Sequence, residues 1–468
     1  MQIPILSGIY ANEAADFRTS YPRNVIPVAN DQGISKGYLR PADGIVSFAT
    51  GPGRDRGGIS WDGLCYRAMG PSLVSIDPDG NVTTIGTIDG SISPVSFAYS
   101  FDRLAVASEG DLYYWDNTTL SQVTDPDLGE VLDVIWVDGY FMTTDGTSII
   151  VTELDDPFAV NPLKYGSAEA EPDSILALKK IRNEVYALNR YTIEVFSNTG
   201  GELFPFQRIE GAYVPRGTLG THCCTSFIDS IAFLGSAYNE SPGIHVAVNG
   251  ASTKLSTREI DKILADYSEG TLANSVLEAR IDQDHRNLML HLPDQSLVYD
   301  AGASSAVGTP VWYTLDSGTL TDKSIYRARY LTWCYDQWLA GDTMGSSIGR
   351  LDNTVHTHYG DSVGWEFSTP IIYNESRGGI VHVLELVGLP GRVTLGDDPM
   401  VYTAYSLDGE TWSQDMGIQA GMTGERNKRL IWVQQGAFRN WRIQRFRGTS
   451  DASIAIARLE AQVEPLSA

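Results

Sequence analysis

The groups able to do chemistry in this 468-residue chain are seven histidines, four cysteines and 58 carboxylates, and their spacing limits what they can do. His356 and His358 stand two apart, so on a strand they share a face near Asp352 and Asp361. A His-x-His pair with carboxylates is a zinc-ligand combination, but no third ligand follows at a firm spacing, and no metal is expected. His222 adjoins Cys223, yet neighbours on a strand point to opposite faces, which defeats a thiol–imidazole pair. Neither a Gly-x-Ser-x-Gly elbow nor a P-loop is present, and the many Asp-Gly pairs are hairpin turns. A glycosidase needs two carboxylates roughly 5–9.5 Å apart, and nothing in the spacing singles out such a pair. The expectation is a protein without catalytic residues or cofactor. Cys65, Cys223, Cys224 and Cys334 form no CxxC, and the adjacent two cannot easily bridge each other. They read as buried reduced thiols in a protein made in the cytoplasm.

The elements that must position these groups repeat. Seven times an apolar strand meets a tight polar turn and a second apolar strand, followed by a third ending near Asp, Asn or Gly. The turns are Trp61-Asp62-Gly63, Phe101-Asp102-Arg103, Val137-Asp138-Gly139, Arg182-Asn183-Glu184, Ile228-Asp229-Ser230, Asp284-His285-Arg286 and Tyr335-Asp336-Gln337. The first strands begin near Ile59, Phe97, Leu132, Ile175, Phe227, Leu277 and Tyr326, in steps of 35 to 52 residues. A propeller blade takes about 40–50 residues. One such sheet has two partly apolar faces and open edges, and packing sheets around an axis buries the faces. The repeat therefore predicts an all-β chain with a β-propeller of about seven blades, six to eight by the spacing. The competing reading is unrelated hairpins in β-sandwiches.

The chain is longer than one core usually supports, so a second unit is expected. We assign 1–44 to an N-terminal arm, 45–355 to the propeller and 356–468 to a β-sandwich-like domain. The prolines at 4, 22, 27 and 41 suit an extended arm, and a strand closing the last blade is the alternative. One stretch reads as helix, near 256–268. Ser256-Thr257-Arg258-Glu259 has the form of a capping box, with Ile260, Ile263, Leu264 and Tyr267 at helical spacing behind it, as an insertion on the ring's surface. The sequence shows no secretory leader and no run of 18 apolar residues, so no membrane anchor is expected.

Charge is the second signal. With 34 basic and 58 acidic residues the formal charge is −24, which argues against tight DNA wrapping. The basic residues gather late, at Arg426, Lys428, Arg429, Arg439, Arg442, Arg445, Arg447 and Arg458. On a strand, Arg439, Trp441, Ile443, Arg445 and Arg447 share one face and Arg442 projects from the other. Arginines around a tryptophan have the composition of a protein interface, so Arg439, Trp441, Arg442, Arg445 and Arg447 are the candidate contact residues. A charged edge strand guarded against aggregation is the alternative.

Ser406-Leu407-Asp408-Gly409-Glu410-Thr411-Trp412 resembles the Asp-box hairpin of sialidase-type propellers and phage β-sandwiches. That resemblance implies a structural turn built on Ser406, Asp408, Gly409, Thr411 and Trp412. A wider resemblance starts at the run from Thr221 to Phe233, Thr-His-Cys-Cys-Thr-Ser-Phe-Ile-Asp-Ser-Ile-Ala-Phe. It continues with Ile260-Asp261-Lys262-Ile263-Leu264, Leu290-His291-Leu292-Pro293 and Leu297-Val298-Tyr299-Asp300-Ala301. Gly37-Tyr38-Leu39-Arg40, Ile193-Glu194-Val195-Phe196 and Lys428-Arg429-Leu430-Ile431-Trp432 keep the same order. Together they resemble the tail hub, or packaged-DNA stabilization, proteins of short-tailed phages of the Salmonella type. Cys224, Trp412 and the glycine-rich stretch 51–58 have no counterpart in that pattern.

This resemblance implies a virion tail protein assembled in the host cytoplasm. Six copies would form a nozzle beneath the portal-adaptor ring, with a tail needle as plug and tailspikes or fibres as neighbours. Genomic DNA would pass through without tight binding, since an acidic surface repels phosphate. A glycan-binding receptor module is the alternative, and a glycosidase a weaker one.

Overall fold

The computed structural model describes residues 2–3, 22–29, 37–90, 92–154, 156–168, 170–374, 377–393, 398–451 and 454–466. Seven antiparallel sheets follow one another along the chain. Blade 1 comprises Asp55–Trp61, Leu64–Met69, Ser72–Ile76 and Val82–Thr87, and blades 2 to 6 occupy 96–122, 133–167, 175–208, 217–254 and 276–315. Blade 7 is made of Ala328–Cys334, Gln337–Asp342 and Ser347–Asp352, and its outer strand comes from the other end of the chain. Gly44–Thr50 pairs antiparallel with Ser347–Asp352, from Thr50 against Ser347 to Gly44 against Asp352.

The turn chemistry explains the hairpins. Asp62 and Gly63 both have positive φ (46° and 77°), as do Asp138 and Gly139 (49° and 93°). Two consecutive left-handed residues match the twist of the flanking strands, and Asp-Gly adopts that conformation cheaply. What holds the ring is the apolar material between blades. Each seam has its own buried cluster, for example Leu73, Leu104 and Val106 between blades 1 and 2. The cluster of Cys65, Met69, Val74, Cys334, Leu339 and Ile348 joins blade 7 back to blade 1. Seven seams for seven blades means that the ring is closed.

The expected helix is present but shorter and more deeply committed than a surface insertion. Arg258–Ala265 and Glu269–Ala273 are separate helices, and Ile260, Leu264 and Leu272 are buried in the seam of blades 5 and 6. The capping box does not form. Thr257 occupies the N-cap position without a side-chain cap bond, and the Ser256 hydroxyl donates instead to Asp261. A third helix, Ala301–Val307, is capped by Asp300 and ended by Gly308 at φ 79°. Both signals stand in the sequence.

The C-terminal residues build a two-sheet sandwich around Trp365, Phe367, Leu384, Trp432, Phe446 and Leu459. The N-terminal residues take part in it. Val25–Ala29 pairs with Gly37–Pro41, which pairs with Ala455–Glu464, and Gln2–Ile3 pairs with that same last strand. Ile3, Val25 and Leu39 contribute to the sandwich core. The rest of the proposed arm, 4–21 and 30–36, lies outside the described residues.

Between these two roles, residues 22–24 act as a strap. The Asn24 amide donates to Thr314 and the Thr314 amide to Pro22, while Arg23 and Glu366 exchange both backbone bonds. Thr314 belongs to blade 6 and Glu366 to the sandwich, so one short segment stitches the domains together. Asn24 adds a side-chain bond to the Gly364 carbonyl (2.8 Å) and accepts from the Asp316 amide (3.0 Å). The buried Arg23 guanidinium pairs with Asp316, with Nη2 to Oδ1 at 2.7 Å. Nearby, burial works against the charge of Asp43, but Arg280 and Arg40 outweigh it and hold the carboxyl down at about 2. Breaking a buried pair strands the surviving charge. Asp316→Ala is therefore expected to lower the unfolding free energy by about 3–5 kcal/mol in urea titrations.

Candidate interaction surfaces

The arginine-rich strand, Trp441–Thr449, is an interior strand of the second sandwich sheet, flanked by Gly364–Ser368 and Met400–Ser406. It is therefore not a guarded edge, and its arginines meet different fates. Arg442 is 1% exposed. Its guanidinium donates to the Gln444 side chain and the Gln435 carbonyl, and stacks 4.0 Å from the Tyr405 ring. Burial pushes it down to about 10. Arg445 stacks on Trp412 at 4.2 Å, and Arg447 pairs with Asp415. Arg442 thus serves the sandwich interior, and Arg445 and Arg447 hold the neighbouring hairpin. Arg439 remains exposed, beside half-buried Trp441, on a concavity of about 520 Å³ that also involves Leu407, Phe438 and Leu466.

In the hairpin carried by those arginines the contacts close on Asp408 and Ser406. One Asp408 oxygen accepts the amides of Glu410 and Thr411, at 2.9 and 2.8 Å, and the other accepts the Thr411 hydroxyl. Ser406 Oγ accepts the Gly409 amide, and Gly409 has φ 80°. The Thr411 hydroxyl and these amides hold the Asp408 carboxyl far below its ordinary range. Every one of these contacts is internal to the turn, and Trp412 spends its ring on Arg445.

The histidines do not converge. His356 Nδ1 bonds the Ala42 carbonyl (2.8 Å), and His358 Nδ1 bonds Ser317 Oγ (2.7 Å). Among the described residues no group of three or more His, Cys, Asp or Glu could hold a metal ion. All four cysteines are free and buried, and the Cys223 thiol donates to carbonyls of the 269–275 segment. One concavity, about 570 Å³, lies where the N-terminal hairpin meets blade 6, with Tyr38, Arg40, Asp282, Asp284 and His285 on its walls. Arg40 pairs with Asp43 and Asp282 with Arg280, and His285 bonds Asp300, while Asp284 forms no ion pair among the described residues. What these residues display is packing and hydrogen bonding within the fold.

Comparison with known proteins agrees. The family model described as the beta-propeller of bacteriophage P22 Gp10 matches residues 1–356, and that of the Gp10 beta-sandwich matches 364–464. The chain belongs to the P22 Gp10 family. This Gp10-family chain is 27% identical over 462 residues to "Tail hub protein gp10" of Salmonella phage P22, covering 94% of each. Among solved structures, the Pan2 WD40 domain of Neurospora crassa is 10% identical with a TM-score of 0.42, over 66% of this chain and 95% of that one. The computationally designed Ika8 protein is 12% identical with a TM-score of 0.41, over 75% and 97%.

Two features of the Gp10-family fold bear on measurement. Replacing Arg442 by Ala empties a buried site and leaves Gln444 and Gln435 without their donor, so a loss of about 2–4 kcal/mol is expected. Arg439→Ala on the exposed surface should stay within about 0.5 kcal/mol, and thermal or urea unfolding of the two variants separates the roles. The second feature is a set of buried neutral histidines. Burial, and then a neighbouring arginine, lowers His245 to about 4, His358 to about 3, and His291 well below its ordinary value. Each stays neutral in the fold but protonates near 6.5 once unfolded, so the unfolded chain binds more protons below that pH. Stability should be full above pH 6.5 and fall toward pH 4, by up to about 1.4 kcal/mol per pH unit for each histidine. Urea midpoints across this range check it, and His245→Phe should flatten the slope.

Proposed function

We propose that this chain is a structural hub of a short phage tail: six copies form a ring beneath the portal-adaptor ring, and the ring is closed by a needle or plug and surrounded by tailspikes or fibres. The observation that carries this reading is the match of both Gp10 domain models, in order, along one chain. The relative named a tail hub protein supports it over nearly the full length of both chains. The role is mechanical and not catalytic. In support, the Asp-box is spent on its own turn, and Arg40 and Asp282 at the concavity beside blade 6 are paired within the fold. The ring is assembled in the host cytoplasm and carried in the virion tail.

A charge of −24 suits a DNA path. Binding of duplex DNA rests on cations that neutralise phosphate, and an acidic wall lets the duplex slide. The decisive experiment is electron microscopy of the purified chain mixed with an adaptor ring. A six-fold ring with a central opening is the expected image. A chain that stays monomeric beside the adaptor overturns the reading.

A further inference from the structure

Strands alternate in direction within each blade, so the turns joining first to second strands all lie on one face of the ring and those joining second to third strands lie on the other. The two faces differ in what they expose. At the first-to-second turns stand Tyr99, Phe101, Ile228, Ile281 and Trp333, with exposures of 50%, 96%, 43%, 56% and 50%. The opposite face shows Tyr238 and Met344 at its turns and Ile92 and Tyr213 on the connections between blades, among large exposed apolar side chains of the described residues. Large apolar groups held in water on one face are the mark of a contact surface.

Across blades 5 to 7 this face forms a groove of about 470 Å³, lined by Phe227, Ile228, Ala279, Ile281, Trp333 and Trp338. The rings of Trp333 and Trp338 meet edge to face at 5.4 Å, which gives the groove a rigid aromatic wall. The Trp338 indole N–H is itself buried and has no acceptor among the described residues. At the turns flanking the groove the exposed carboxylates of Asp229 and Asp336 form no ion pair among the described residues, and the blade 6 turn adds Asp284 and Arg286. The floor is apolar and the rim negative.

We propose that this groove docks a segment of another protein that presents an apolar side chain flanked by Lys or Arg. The apolar group fills the space between Ile228, Ile281 and Trp333, and the flanking cations meet Asp229 and Asp336. Nucleic acid is disfavoured by the same carboxylates. A sugar would need several hydrogen-bonding groups in the floor, where Ser226 is the one hydroxyl. The proposal rests on the hub reading for the origin of the partner, a neighbouring tail component, and on the groove for its chemistry.

The test uses the purified full chain and two synthetic peptides that share a Leu-Phe-Leu core, one flanked by lysines and the other by glutamates. Calorimetry and tryptophan fluorescence should show the lysine peptide binding at least tenfold tighter, with a preference that shrinks as salt rises. Trp333→Ser and Ile281→Asp should each weaken it at least tenfold. Asp229→Lys combined with Asp336→Lys should invert the preference. Binding of neither peptide, equal binding of both, an unchanged preference after charge reversal, or a glycan that binds through Trp333 each overturns the proposal. None of these exposed substitutions disturbs the seams, so ring formation in the microscope still judges the hub reading separately.

Discussion

Everything in this molecule depends on the backbone bonds made by residues 22–24. Left alone, blade 6 and the sandwich would each present strand groups with unpaired N–H and C=O, and buried backbone polar groups are costly without partners. Pro22, Arg23 and Asn24 satisfy both sides at once, and the Arg23–Asp316 pair seals the crossing. The two domains are therefore parts of one hydrogen-bonded structure, not beads on a linker. Asn24 has φ 54°, a conformation that asparagine tolerates better than most residues, and its side chain bonds to both domains.

From that strap the chain runs in two directions. Upstream and in the adjoining hairpin it completes the sandwich sheet through Gln2–Ile3 and Gly37–Pro41, and downstream it closes the ring through Gly44–Thr50. The seven seam cores then act in a circle, each blade gripping the next. Charge is handled locally in the same spirit. Arg67 is fully buried between blades 1 and 7, paired with Asp55 and donating to the Tyr330 carbonyl, while Arg280 and Arg40 converge on Asp43 where the hairpin meets blade 6. Buried ions of this kind add little net stability, but they penalise any register that separates them.

The repeat made the ring legible because blade hairpins are local: Asp-Gly turns and alternating apolar residues are adjacent in sequence. The Asp-box was legible for the same reason, since the side chains of Ser406, Asp408 and Thr411 bond within the turn. Long-range placement was not. Nothing near Arg442 marks it as buried, because its partners Gln435 and Tyr405 become its neighbours only through strand pairing. The roles of Val25, Leu39 and Ile3 depend on the last strand, more than 400 residues away in sequence. The helix near 260 was visible from its apolar spacing, but the seam that absorbs Ile260 and Leu264 was not.

Closing the ring and the sandwich with the first strands has a consequence for synthesis. Residues 22–50 leave the ribosome first, while their partners at Thr314, Ser347–Asp352, Glu366 and Ala455–Glu464 leave much later. Contacts of such separation form slowly, and blades can form in order while the first strands wait. A chain that stops short of its last strand leaves Leu39 without its partner Ile456 and the sandwich sheet open. Completion of the sandwich thus waits for synthesis of Ala455–Glu464, long after its first strands have been made.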